Sequence, residues 1–149
     1  MNLDHPIEII MKEKSRTVYS VSPEATIYEA LVIMADKGIG ALLVMEGETL
    51  VGIFSERDYA RRVILAGRSS REMKVREIMS SEVLTVGPQI TVDECMQHMT
   101  DRRFRHLPVV EGGKVVGIVS IGDLVNWIIK AQERTIHDLE DYISGEYPH

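Results

Sequence analysis

Two short motifs carry groups that could hold a ligand: Gly52-Ile-Phe-Ser55-Glu-Arg-Asp58 and Gly117-Ile-Val-Ser120-Ile-Gly-Asp123. In both, a serine precedes an aspartate by three positions, the spacing of a helix start. The free N–H groups of such a start suit a phosphate. A carboxylate beside them can accept hydrogen bonds from a vicinal diol such as a ribose. The glycine lets another group come close to the backbone. A plain helix cap explains the same pattern, so the motifs alone leave both readings open. A third feature occurs once: Arg102-Arg103-Phe104-Arg105-His106 leads into Leu107-Pro108-Val109. Arginine offers forked donors that clamp phosphate. A solvated helix end would account for Arg102 and Arg103, but not for Arg105 and His106, which stand at the entrance of a strand. The matching stretch upstream, Lys37-Gly38-Ile39-Gly40-Ala41, is small and leaves room for a flat ring against backbone. It lacks the third glycine of a dinucleotide fingerprint.

Catalysis finds little support. Ser55 and Asp58 share one helical turn and cannot form a triad with His106, and no Gly-x-Ser-x-Gly elbow is present. No His, Cys or Glu cluster has metal-ligand spacing, so neither a catalytic set nor a metal is expected. The formal charge of −6 speaks against general nucleic-acid binding. No apolar run approaches the roughly 20 residues of a membrane span, and the charged N-terminus shows no export signal. Cys95, the single cysteine, excludes a disulfide framework and reads as a buried small hydrophobe. A cytoplasmic setting is expected.

The elements that position these residues are duplicated. Shifted by 65 residues, Val18–Asp58 lies over Val83–Asp123 without a gap, pairing Pro23 with Pro88, Thr26 with Thr91, Leu42 with Leu107 and Asp58 with Asp123. The apolar lead-in recurs after a three-residue slip, as Ile7–Met11 and Val75–Met79. Each copy reads as a short strand (Val18–Val21, Val83–Val86), a capped helix opening at Thr26 or Thr91, a hairpin, and a second helix from about Ser55 to Leu65 or about Ser120 to Lys130. The fold class is therefore α/β, two βαββα repeats. Each is only about 60 residues, too small to bury much core alone, so the copies should pack with pseudo-two-fold symmetry. The expected organisation is a lead-in helix over 1–17, repeat 1 over 18–67, a linker with a short helix over 68–82, repeat 2 over 83–130, and a C-terminal helix and tail over 131–149.

The GIFSERD and GIVSIGD motifs, the HLPVV strand and the duplicated βαββα order resemble a pair of CBS (cystathionine β-synthase) domains, a Bateman module. IGALLV, SERDYARRV, RHLPV and SIGDLV resemble more narrowly the stand-alone bacterial two-CBS proteins. The resemblance implies two clefts between the repeats that take adenosine-containing ligands. AMP or NAD(H) stands first and ADP or ATP next, while cationic S-adenosylmethionine would gain little from Arg103 and Arg105. It also implies that Asp58 and Asp123 hold ribose hydroxyls, assisted by Ser55 and Ser120. Arg103, Arg105 and His106 would meet phosphates, with Arg57 a further candidate. Backbone around Val18, Ile39, Gly40, Ala41, Val83 and Phe104 to Leu107 would line the adenine pockets. The resemblance further implies a homodimer and a regulated protein partner whose identity the sequence does not name.

The alternative is a protein-interaction adaptor with degenerate clefts. Ile136, Leu139 and Ile143 fall at helical spacing within 131–147, with Tyr142 beside them. This tail is expected to dock on its own module or on a dimer mate. The clefts should differ, since one repeat supplies charge and the other space.

Overall fold

The computed structural model describes residues 3–14 and 17–144. Residues 145–149, the end of the expected tail, lie outside them, as do residues 1, 2, 15 and 16 of the expected lead-in. The elements run α1 (Glu8–Glu13), β1 (Ser20–Val21), α2 (Ile27–Lys37), β2 (Ala41–Glu46), β3 (Thr49–Ser55), α3 (Glu56–Tyr59), α4 (Val92–Arg102), β4 (His106–Glu111), β5 (Lys114–Ser120) and α5 (Ile121–Ser144). A π-turn at Ala60–Ile64 extends α3, and a 3-10 turn spans Val75–Glu77. The result is the expected duplicated α/β architecture with a C-terminal helix.

The two repeats form by the same local rules. Thr26 and Thr91 cap α2 and α4, each hydroxyl accepting the N–H three residues on at 3.1 Å. The hairpins β2–β3 and β4–β5 share one register, Leu42 facing Phe54 and Leu107 facing Val119, with a bulge after Val44 and after Val109. Their buried faces build two cores of matching composition. One holds Ile27, Ala30, Met34, Leu42, Val44 and Phe54, the other Val92, Cys95, Met99, Leu107, Val109 and Val119.

Two departures from the expected elements have local causes. In repeat 1, β1 pairs in parallel with β2, and the Leu43 N–H donates to the Tyr19 carbonyl at 3.3 Å. The matching donor in repeat 2 would be residue 108, which is proline and has no N–H. The expected strand Val83–Val86 is accordingly reduced to one bridge between Val86 and Val109. At the C-terminus, a helix ending near Lys130 was expected. Instead α5 runs unbroken for 24 residues, from Ile121 to Ser144.

The lead-in segments are exchanged between the repeats. Ile7, which precedes α1, and Ile10 and Met11 within it are buried in the core of repeat 2, whereas Met73, Val75 and Ile78 from the linker are buried in that of repeat 1. Both attach through equivalent backbone bonds. The Ile7 N–H donates to Ile90 and the Glu8 N–H to Pro88, at 2.8 and 3.0 Å. The Val75 N–H donates to Ala25 and the Arg76 N–H to Pro23, at the same two distances. Each lead-in also explains a motif glycine. A Cβ on Gly52 would stand 2.7 Å from the Met79 sulfur and 2.9 Å from the Ser80 carbonyl, and one on Gly117 would run into Met11. The close approach expected at these glycines is therefore made by the partner lead-in.

The exchange predicts where damage appears. Truncation of Ile10 or Ile78 to alanine removes a buried branched side chain, at about 2–4 kcal/mol. Native-state hydrogen exchange should show Ile10→Ala releasing β4 and β5 first, and Ile78→Ala releasing β1 to β3. Release of the sequence-adjacent repeat in either variant would contradict the exchange.

Candidate functional site

The β3–α3 and β5–α5 junctions put both motifs in the same local frame. The Asp58 N–H donates to Ser55 Oγ at 3.2 Å, and the Ser55 N–H donates back to Asp58 Oδ2 at 3.1 Å. At the second junction the Asp123 N–H donates to Ser120 Oγ at 3.1 Å and the Ser120 N–H to Asp123 Oδ2 at 2.9 Å. Both motifs are thus reciprocal capping boxes. Capping does not exhaust them, because all four residues stay half-buried rather than sealed in a core.

A cleft of about 500 Å³ opens between the repeats at the first junction, within the range of small-molecule sites. Ser55, Arg57 and Asp58 stand on one side. Arg103, Phe104, Arg105 and His106 come from the loop between α4 and β4, and Gly40 and Val83 complete the residues anticipated from the sequence. Nine of the fifteen candidates therefore meet in one place. Val18, Ile39, Ala41, Leu107, Ser120 and Asp123 do not line this cleft. The Leu107 side chain is fully buried in repeat 2, so only its backbone could face a ligand. Ser120 and Asp123 belong to the second, pseudo-symmetric junction.

Several lining residues were not singled out from the sequence. Arg61 and Arg62 line the cleft from the π-turn, four residues beyond Arg57 and Asp58, a spacing that marks one helix face. Ser80, Glu82 and Leu84 also line it, supplied by the chain that follows the exchanged lead-in. No local signal places them there. Altogether six arginines (Arg57, Arg61, Arg62, Arg102, Arg103 and Arg105) and His106 share the cleft lining with the three carboxylates Glu56, Asp58 and Glu82. The cleft is basic in an acidic chain.

The second junction is built differently. Lys14 Nζ lies 2.6 Å from Asp123 Oδ2 and donates to the Ile118 carbonyl at 2.9 Å. Burial pushes the Asp123 carboxyl up, but the hydrogen bond and charge of Lys14 and the bonds from Ser120 outweigh it, leaving the group below its ordinary value. Burial is also the main reason that His106 sits below the ordinary histidine value. Lys14 adds to that effect, Asp123 opposes it, and Arg105 lowers it further. These surroundings favour the neutral form of His106. Burial raises the Cys95 thiol to about 11, which removes it as a nucleophile. Among the described residues no three His, Cys, Asp or Glu side chains are grouped to hold a metal ion, and no helix is long and apolar enough to cross a membrane.

Arg103 caps α4 with φ 58°, the only non-glycine residue with positive φ among those described. Gly38 holds the same position after α2, with φ 64°. An arginine kept where the other repeat uses glycine carries conformational strain, and it stands at the mouth of the cleft.

Comparison with known proteins bears on the fold. The family model described as "CBS domain" matches residues 8–65 and 75–130. A solved protein with CBS domains from Burkholderia ambifaria MC40-6 is 49% identical, with a TM-score of 0.83, covering 85% of this chain and 96% of that one. The CBS domain-containing protein CBSX3, mitochondrial, of Arabidopsis thaliana is 38% identical over 150 residues, 95% of this chain and 73% of its own length. The CBS domain pair of protein MJ0100, solved in complex with 5′-methylthioadenosine and S-adenosyl-L-methionine, is 26% identical with a TM-score of 0.73, covering 85% of this chain and 97% of that one.

The strain at Arg103 is measurable. Arg103→Gly should raise stability in chemical denaturation by about 0.5–1 kcal/mol, the relief of a left-handed side chain less the added freedom of an unfolded glycine. A loss of stability would mean that the Arg103 side chain holds the fold rather than waiting on a ligand.

Proposed function

The chain belongs to the CBS domain family, and on that premise we propose that it is a regulatory module, not an enzyme, binding an adenine nucleotide at the first inter-repeat cleft. The observation that carries this reading is the opposition of Asp58 and Ser55 to Arg102, Arg103 and Arg105 across a space of about 500 Å³, with Arg57, Arg61 and Arg62 on their own side of it. Asp58 offers the carboxylate for a ribose diol, since among the described residues its oxygens accept only from the neutral Ser55. Arg103 and Arg105 supply forked donors for phosphate, and Arg57, Arg61 and Arg62 extend that field along the helix. The half-buried Phe104 and Val83 give the adenine an apolar wall. Burial favours the neutral form of His106, and a phosphate beside it would oppose that shift.

The charge of the cleft also orders the ligands. MJ0100 holds the cationic S-adenosyl-L-methionine and neutral 5′-methylthioadenosine. Six arginines disfavour the sulfonium and favour phosphorylated adenosines as a class, AMP, NAD(H), ADP and ATP alike. No metal is needed for this recognition.

Binding acts as a signal only if it favours one arrangement of the repeats over another. Because the cleft is walled by both repeats, a nucleotide bridging Asp58 and Arg105 biases their relative orientation. A homodimer fits the exposed apolar side chains of α5, Ile121, Val125 and Ile129. The adaptor reading retains one specific support: Ile136, Leu139, Tyr142 and Ile143 near the end of α5 are all exposed. That surface suits the regulated partner, and we place the module's work in the cytoplasm.

Calorimetric titration with AMP, NADH and S-adenosylmethionine distinguishes these readings. AMP or NADH should bind in the micromolar range without turnover, and S-adenosylmethionine more weakly. Asp58→Ala should weaken AMP about tenfold or more, as expected when a hydrogen bond to a charged group is lost. Arg103→Ala/Arg105→Ala should weaken AMP but leave adenosine little changed. Full AMP affinity in Asp58→Ala would remove the site assignment, and no binding of any adenosine ligand would leave the adaptor reading.

A further inference from the structure

The two junctions differ at one position that no motif reveals. Counted along the exchanged lead-ins, where Ile10 matches Ile78 and Met11 matches Met79, Lys14 corresponds to Glu82. At the first junction the Ile53 carbonyl accepts the backbone N–H of Ser80 at 2.9 Å, and Glu82 lines the cleft with its charge like that of Asp58. At the second junction the matching Ile118 carbonyl accepts instead from the Lys14 ammonium at 2.9 Å, and the same ammonium pairs with Asp123 at 2.6 Å. The charge at this position is reversed between repeats. Only the second carboxylate is neutralised by it, since no Lys or Arg pairs with Asp58 among the described residues.

Resting on the nucleotide reading above, we infer that Lys14 is a specificity-determining latch that withholds Asp123 from a ribose diol and so confines adenosine binding to the first cleft. The side chains of Lys14 and Asp123 are 34% and 24% exposed, so the pair is partly shielded from solvent and is worth more than a surface ion pair. Lys14 and Ser120 both donate to Asp123 Oδ2, so a diol that needs both oxygens must compete there, and a neutral ribose hydroxyl competes poorly with an ammonium. Lys14 also donates to the Ile118 carbonyl, which anchors the ammonium beside the carboxylate that a sugar would seek. The lead-in that completes the core of repeat 2 therefore carries, three residues beyond Met11, the group that occupies its ribose position.

Adenosine is the suitable probe, because it presents the diol without a phosphate that Lys14 would attract. Isothermal titration should give the wild type one adenosine site per chain and a second at least about tenfold weaker, the order of one partly buried charge pair. Lys14→Met should bind the second adenosine about tenfold more tightly, Lys14→Gln should do likewise, and Lys14→Met/Asp123→Ala should lose the gain. Thermal melts establish that each variant is folded. Unchanged or weaker second-site binding in both Lys14 variants, or a gain that survives Asp123→Ala, overturns the latch alone. No adenosine binding by any variant overturns the nucleotide reading and the latch with it.

Discussion

The exchange of lead-in segments is the constraint on which the rest of the structure depends. Neither repeat encloses its own core: repeat 2 is closed by Ile7, Ile10 and Met11, and repeat 1 by Met73, Val75 and Ile78. A unit of this size buries too little surface to stand alone. Lending each the segment that precedes the other solves that problem and ties the repeats together. It also sets the geometry between them, because the chain leaving a lead-in must cross the junction to reach its own repeat. Ser80, Glu82 and Val83 line the cleft for that reason. Packing thus produces the cleft before any ligand is considered.

Much of this was legible in the residues. The ungapped duplication fixes the order of elements, and Thr26, Thr91, Ser55 and Ser120 announce the helix starts that the structure shows. Most of the candidate binding residues meet in one cleft because they follow directly from those starts or from the loop that leaves α4. What stayed hidden is non-local. Similarity between Ile7–Met11 and Val75–Met79 shows that two lead-ins exist, but not which core each enters. The loss of a second β1 turns on a single missing N–H at Pro108, which a pattern of apolar residues does not register. Lys14 belongs to no motif, and its pairing with Asp123 depends wholly on the exchange.

The same exchange makes the two halves unequal in charge. At the first junction the field is built from arginines on α3, its π-turn and the loop after α4, and its aspartate pairs with no cation among the described residues. Matching positions around the second junction hold Gly122, Asn126 and Trp127 in place of Arg57, Arg61 and Arg62, and the aspartate there is already paired. Duplication therefore preserved the backbone frame of two sites while the side chains diverged. A single cleft with a strong phosphate field, facing a quiet counterpart, suits a module that reports one ligand by a change in the angle between its halves.

A crystal structure of the chain with AMP tests this account most directly. It predicts the ribose hydroxyls on Asp58, the phosphate within hydrogen-bond distance of Arg103 or Arg105, and Lys14 still seated on Asp123. AMP bound at Asp123 with the arginine-lined cleft empty, or no AMP between the repeats, would contradict it.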